Sequence, residues 1–325
     1  MKEKILKCLR EAEDYVSGQE LCQMFDVSRT AIWKVMNQLK EEGYVIDAVK
    51  NKGYRLVQTP DLVTAEEVES LLETSWAARP VVYEEEQAST NQTAKMLAEQ
   101  GASHGTLVVA ERQVSGRGRR GRPWHSPKGS GIWMSILLRP QIHPMSASML
   151  TLVAAMAVYD AISSRVEGCA IKWPNDIVID GRKVCGILTE MSSELDNIHY
   201  VVIGIGINVN TDDFPEDIAS VAASMHVITG AYYKRAEIIA DTWKAFEKYY
   251  DLFVQTENLA LMVDAYNQRL VNMDRRVMIE ERGHRYEGTA RGIDAEGALL
   301  VERDDGTTIS VISGEVSVRG VLGYV

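Results

Sequence analysis

Nine residues, Gly116 to Trp124, constrain this chain more than any others. Gly116-Arg117-Gly118-Arg119-Arg120-Gly121-Arg122 sets four arginines and three glycines in seven positions, and Pro123-Trp124 follows. The glycines predict a flexible loop, and the arginines leave two readings of it. It is either a solvated basic tip or a loop built to hold an anion. The elements around it have to decide.

A chain of 325 residues exceeds one ordinary core and predicts roughly two or three domains. Apolar residues make up 46% and charged residues 25%, an ordinary globular balance. No run reaches the roughly 18 apolar residues of a membrane span. The most apolar stretch, Met149 to Tyr159, predicts a buried helix instead. The first residues, Met1-Lys2-Glu3-Lys4-Ile5-Leu6-Lys7, place charges where a signal peptide needs its apolar region, so a cytoplasmic protein without membrane attachment is expected. Cys8, Cys22, Cys169 and Cys185 are scattered, and the six histidines form no H-x-H or H-E-x-x-H pattern. Neither a disulfide framework nor a resident metal is expected. The net charge of −11 is uneven: residues 1–60 hold ten Lys and Arg against nine Asp and Glu, leaving 25 against 37 for the rest. The first sixty residues are the part that tolerates a polyanion.

Ile5, Leu6, Leu9 and Ala12 recur at helical spacing. Ser17-Gly18-Gln19-Glu20 is a capping box that opens a second helix ending near Phe25. After Asp26-Val27, Ser28 caps a third helix with Ile32, Val35, Met36 and Leu39 on one face and Arg29, Thr30, Trp33 and Lys34 on the other. Two short helices across a tight turn predict a helix-turn-helix. Tyr44 to Val49 and Tyr54 to Val57 flank Lys50-Asn51-Lys52-Gly53 and predict a hairpin with a basic turn, a wing. Such a module binds either DNA or another protein. In the DNA reading, Ser28, Arg29, Thr30, Trp33 and Lys34 face the bases while Lys50, Lys52 and Arg55 face phosphate. One unit covers few bases, so a dimer on a two-fold site is expected.

Gln58-Thr59-Pro60-Asp61 breaks the pattern, and Thr64-Ala65-Glu66-Glu67 is a second capping box. Beyond Pro80, strands and helices alternate, predicting a mixed α/β core. Ser89-Thr90-Asn91 stands where a strand passes into a helix, so its side chains either cap that helix or enter a cleft. Lys172-Trp173-Pro174-Asn175-Asp176 puts a proline inside a β-like run, predicting an edge or a bulge. Asp180-Gly181 predicts a two-residue hairpin turn that pairs Ile179 with Arg182 and Val178 with Lys183. Alternation then gathers Asp176, Lys183 and Lys172 on one face, solvated or lining a site. Gly186, in mid-strand, permits close approach of a ligand or backbone. Gly204-Ile205-Gly206 lacks the third glycine of a dinucleotide fingerprint, and Asn208 follows at a strand end. From Arg275, short strands with Gly and Asp turns predict a small β-barrel of roughly fifty residues, with a structural role as its default.

The arginine loop with Trp124 and Ser126, the Lys172 to Asp176 run, and Gly181-Arg182-Lys183-Val184-Cys185-Gly186-Ile187-Leu188 together resemble the biotin protein ligases. The N-terminal module makes the chain similar to their bifunctional subclass, the biotin operon repressors. The resemblance implies a multidomain α+β chain: a winged helix-turn-helix over 1–60, a catalytic domain over 61–272 and an SH3-like barrel over 273–325. It implies ATP-dependent formation of biotinyl-5′-AMP and transfer of biotin to a lysine of a biotin carboxyl carrier domain. Magnesium would arrive with ATP, and the adenylate would act as corepressor for operator binding by a homodimer.

The same resemblance assigns roles. Ser89, Thr90, Asn91 and Gln113 would face the ureido ring of biotin, with Gly186 nearby. Arg117, Gly118 and Arg119 would follow its tail and carboxylate, and Lys183 would hold the carboxylate and the α-phosphate. Trp124 would pack on adenine, with Arg119, Arg122, Lys172, Asn175 and Asn208 near the nucleotide. Lys183, Arg119 and Asp176 would be catalytic, Asp176 by orienting the incoming lysine. The loop would be disordered when empty and would close over the intermediate. Two alternatives stand beside this reading: a lipoate-type ligase on the same fold, and a regulator that senses a small molecule without catalysis.

Overall fold

The computed structural model describes residues 1–281, 284–312, 316–320 and 323–325. The N-terminal module comprises α1 (Lys2–Glu11), α2 (Gly18–Phe25), α3 (Arg29–Glu41) and the hairpin β1 (Val45–Val49) and β2 (Gly53–Gln58). The expected apolar faces meet in one core of Ile5, Leu6, Leu9, Leu21, Ile32, Val35, Met36 and Leu39. Ser17 and Glu20 close the capping box, and Ser28 Oγ accepts from Ala31 N at 3.2 Å. Asp26 adopts a left-handed conformation (φ 51°) that stops α2 and lets α3 turn away.

Next come α4 (Ala65–Leu71), β3 (Val81–Gln87), α5 (Thr90–Glu99), β4 (Leu107–Gln113), β5 (Gly131–Leu138) and α6 (Leu150–Ser163). They are followed by β6 (Cys169–Lys172), β7 (Asp176–Ile179), β8 (Arg182–Glu194), β9 (Asn197–Asn208), α7 (Glu216–Ala219), α8 (Met225–Thr229), α9 (Arg235–Thr256) and α10 (Val263–Arg269). Seven strands form one sheet in the order β3-β4-β5-β9-β8-β7-β6, antiparallel except for the β3–β4 pair. Every residue of β5 is buried, because both faces of the sheet are covered near its centre. Ile132, Met134, Ile136, Ile203, Ile205 and Ile207 pack with α6 and α9 on one face, while Leu137, Val202 and Val108 meet α5 on the other. The buried helix expected over Met149 to Tyr159 is led in by a 3₁₀ turn, Pro144–Met149, and becomes α6 at Leu150. It is apolar all round and buried in the sheet's main core.

The C-terminal strands are β10 (Arg276–Glu281), β11 (His284–Ile293), β12 (Leu299–Glu302), β13 (Thr308–Val311) and β14 (Val316–Gly320). The short strands expected beyond Arg275 are present. They form a sheet in the order β13-β12-β11-β10-β14, and no pairing among the described residues joins its edges into the expected barrel.

Candidate active site

Two adjacent strands build the floor of the principal cavity. Along β9, Ile203, Ile205 and Ile207 enter the main core, so alternation turns Gly204, Gly206 and Asn208 toward the other face. On β8, Gly186 pairs with Gly206 and Leu188 with Gly204. Glycine on both sides of a ladder leaves a trough. Its present occupants are side chains: a Cβ on Gly204 would lie 2.0 Å from Asn91 Oδ1, and one on Gly206 would lie 2.3 Å from Trp124 Nε1.

The next hairpin delivers the charge. Ile179 faces Arg182 and Val178 faces Lys183, as the Asp180-Gly181 turn predicts. The register then shifts, so that Ile177 faces Cys185 and Val184 is the extra residue. Lys183 and Gly186 are three apart and would point to opposite faces of a regular strand; the bulge brings both to the cavity. Pro174 does not make this bulge. It lies in the turn between edge strand β6 and β7, after a cis Trp173–Pro174 peptide.

Asp176 Oδ1 is 2.6 Å from Lys183 Nζ and accepts from Asn175 Nδ2 at 3.1 Å. Burial alone would raise its pKa, but the ammonium groups of Lys183 and Lys172 outweigh that and hold it below the usual carboxylate range. Lys172, 6% exposed, donates to the Val318 carbonyl at 2.9 Å. Burial pushes its pKa down to about 8, against the pull of Asp176. Arg119 reaches this group from the loop, with Nη1 2.9 Å from Asn175 Oδ1.

The opposite wall is a polar chain. Thr90 N donates to Gln113 Oε1 at 2.9 Å, and Gln113 Nε2 donates to Ser126 Oγ at 3.0 Å. Ser135 Oγ donates to Asn91 Oδ1 at 2.6 Å. Ser89 precedes α5, yet its side chain makes no capping hydrogen bond and lines the cavity instead. The arginine stretch itself is a small hairpin: Trp124 N donates to Gly116 O and Gly118 N to Arg122 O, around a 3₁₀ turn at Arg119–Gly121. These backbone bonds give the arginine stretch a geometry of its own. Arg117, Arg120 and Arg122 are exposed at its rim.

All of the residues expected around ligand line this one cavity of about 420 Å³: Ser89, Thr90, Asn91, Gln113, Arg117, Gly118, Arg119, Arg122, Trp124, Lys172, Asn175, Asp176, Lys183, Gly186 and Asn208. Asn208 Nδ2 donates to Ala223 O, which ties β9 to the segment after α7. Two groups escaped sequence reasoning. Gly204 and Gly206 matched no dinucleotide fingerprint, although their spacing of two on a strand was itself a signal. Val318, Arg319 and Tyr324 also line the cavity, which corrects the default expectation of a structural role for the C-terminal region. Trp124 lies over Gly186 and Gly206, and among the described residues its buried Nε1–H finds no hydrogen-bond partner.

The expected DNA-facing residues lie in the separate N-terminal module. Ser28, Arg29, Thr30, Trp33, Lys34, Lys50, Lys52 and Arg55 are exposed, and Trp33 is 57% exposed despite its size. Ser28 spends its hydroxyl on capping. Lys52 and Arg55 gather over the Tyr15 ring, and Arg55 lies 3.9 Å from Asp47. Among the described residues no group of His, Cys, Asp and Glu is arranged to hold a metal.

Comparison with known proteins agrees with this division. Residues 83–208 match the Biotin/lipoate A/B protein ligase family, residues 2–55 an HTH domain, and residues 273–319 the Biotin protein ligase C terminal domain. The bifunctional ligase/repressor BirA of Bacillus spizizenii is 42% identical over 299 residues, 90% of this chain and 91% of that protein. The biotin--[acetyl-CoA-carboxylase] ligase of Paracoccus denitrificans is 33% identical over 68% of this chain and 93% of its own length. The solved biotin protein ligase of Aquifex aeolicus, in complex with biotin and ATP, superposes with a TM-score of 0.65 at 30% identity, covering 74% of this chain and 98% of that one. With a helix-turn-helix module joined to a glycine-floored cavity of converging cations, and with relatives of both kinds, the chain belongs to the biotin protein ligase family, in its bifunctional ligase/repressor branch.

Proposed function

We infer that this chain is an ATP-dependent biotin protein ligase that also represses transcription by binding DNA. The observation that carries the ligase reading is the convergence of Arg119, Lys172 and Lys183 on one end of the glycine trough. In the first step a carboxylate oxygen of biotin bonds to the α-phosphorus of ATP while the bond to diphosphate breaks. Two anions must meet, and preorganised cations offset both their repulsion and the charge that develops. Lys183 is assigned to the carboxylate and α-phosphate, and Arg119 to the same junction from the loop. Lys172, Asn175, Asn208 and Arg122 are assigned to the nucleotide.

The polar chain at the other end suits a ureido ring: Thr90, Asn91, Ser89 and Gln113 offer donors and acceptors there. The trough between accepts the flat ring and tail. A ligand on this floor displaces the Trp124 ring that covers Gly186 and Gly206. Trp124 then becomes free to cover adenine, and the hairpin of Arg117, Gly118 and Arg119 excludes water from the mixed anhydride. In the second step the amine nitrogen of the carrier lysine attacks the acyl carbon and AMP leaves. Asp176 orients that amine. The nucleophile comes from the carrier, so no Ser-His or Cys-His pair is required.

Magnesium fits as a passenger of ATP: phosphate oxygens would supply most of its ligands, and Asp217 lines the same cavity. When bound it neutralises phosphate charge. For DNA, the exposed face of α3 supplies base contacts and the wing supplies phosphate contacts. We take the acting species to be a cytoplasmic homodimer with biotinyl-5′-AMP as corepressor, and the C-terminal sheet to be an SH3-like barrel. The loop links the two functions by ordering around the adenylate.

Incubation with ATP, a biotin carboxyl carrier domain, and biotin or lipoate tests the ligase reading by mass spectrometry. The expected result is biotin added to one carrier lysine. Lipoate added instead, or no added mass, would replace this reading with one of its two alternatives.

A further inference from the structure

Asp176 has partners on both oxygens. Lys183 and Asn175 meet Oδ1, while the Tyr324 hydroxyl donates to Oδ2 from 148 residues away in sequence. The same tyrosine presents its ring to Lys172, whose Nζ lies 4.3 Å from the ring centroid. One phenol therefore serves two charged groups of the cavity with different parts of itself. Burial, then the charge of Asp176, push its pKa far above the ordinary value, so it is a fixed donor.

The residues next to it are seated against the same hairpin. A Cβ on Gly320, at the end of β14, would lie 2.1 Å from the Val325 carbonyl oxygen, and one on Gly181 would lie 3.0 Å from Val325 Cγ2. Gly181 belongs to the turn between β7 and β8, the strands that carry Asp176 and Lys183. The backbone carbonyl of Val318, on β14, accepts a hydrogen bond from Lys172 Nζ. A buried ammonium and a buried carboxylate both need partners to keep one geometry. Here the C-terminal region provides part of that for each, Val318 for Lys172 and Tyr324 for Asp176.

We propose that Tyr324 is a positioning residue of the ligase site: its hydroxyl orients Asp176 for acyl transfer, and its ring holds the Lys172 ammonium for ATP. This rests on the reading of Asp176 and Lys172 as site residues. The two parts of the side chain act on different steps, which makes them separable. A hydrogen bond to a charged group and a desolvated cation–π contact are each large enough to be read as rate or affinity changes of about tenfold.

The test uses the full chain with Tyr324→Phe and Tyr324→Ala. Biotin-dependent exchange of diphosphate into ATP reads the first step, and single-turnover transfer from preformed biotinyl-5′-AMP to a carrier domain reads the second. Tyr324→Phe keeps the ring and is expected to slow transfer about tenfold while leaving KM for ATP within about twofold. Tyr324→Ala is expected to slow transfer equally and to raise KM for ATP about tenfold as well. Wild-type transfer by Tyr324→Phe, or the same KM for ATP in both variants, overturns the proposal. If the alanine variant does not fold, the phenylalanine variant still decides the hydroxyl's role. Asp176→Asn and Lys172→Met, measured alongside, keep the failures apart. Wild-type rates in those variants refute the site reading itself, whereas impaired rates there beside wild-type Tyr324 variants refute only the proposal about Tyr324.

Discussion

Lys172 keeps a charge where burial opposes one. Its pKa of about 8 lies below the ordinary 10.5, because desolvation outweighs the attraction of Asp176. Between those two pH values the unfolded chain binds more protons than the folded one, so this lysine's contribution to stability grows as pH rises from about 8 to 10.5. Function moves the other way. A lysine that meets phosphate must be charged, and kcat/KM reports ionisation of the free enzyme. We expect kcat/KM for ATP to fall as pH rises through about 8. In Lys172→Arg the fall moves to higher pH, because a guanidinium stays protonated. A profile that is identical in wild type and Lys172→Arg would mean that another group controls ATP binding.

The strands β8 and β9 define the floor through what they lack. Gly186 and Gly206 face each other across the ladder, and the Trp124 ring covers both. A side chain at 206 meets the edge of that ring, which a loop can move, so Gly206→Val is expected to fold. It fills the trough, and biotin affinity measured by calorimetry is expected to drop at least a hundredfold, the equivalent of about 2.7 kcal/mol. Retained affinity would show that ligand does not lie on this floor. The Asp180-Gly181 turn, the pairing of Val178 with Lys183 and the charged run before them were legible because each is a local rule of turn or register. Gly204 and Gly206 were harder, since a glycine pair gains meaning only beside Gly186 on the neighbouring strand. Tyr324 was illegible because nothing local brings a C-terminal tyrosine to Asp176. Ser89 read first as a helix cap and second as a cavity residue, and only the absent capping bond separates these.

Across the whole molecule, buried charges join the modules. Glu67 on α4 meets Arg10 of α1 and Tyr44 before the wing, although Thr64-Ala65-Glu66-Glu67 reads as a capping box and only the Thr64 half of it forms. Arg235, 1% exposed at the start of α9, binds Asp61 in the linker and Glu111 on β4, each at 2.8 Å. Burial works against its charge, and Glu111 and Asp61 more than restore it. Glu111 also accepts from Gly129 N at 3.2 Å and stands two residues before Gln113, so it grips both ends of the segment that carries the arginine loop. One guanidinium therefore ties that segment to the residues just after the DNA-binding module. Replacing it strands Glu111 and takes from Asp61 its ion-pair partner, and breaking a buried pair from one side costs about 3–5 kcal/mol. Arg235→Met is expected to lower unfolding stability by that amount in urea titrations at neutral pH, with much of the loss recovered near pH 4, where protonation removes the stranded charges. A loss below about 1 kcal/mol at neutral pH would mean that solvent already screens this cluster as it does a surface pair, and that the linker is not held to the loop through Arg235.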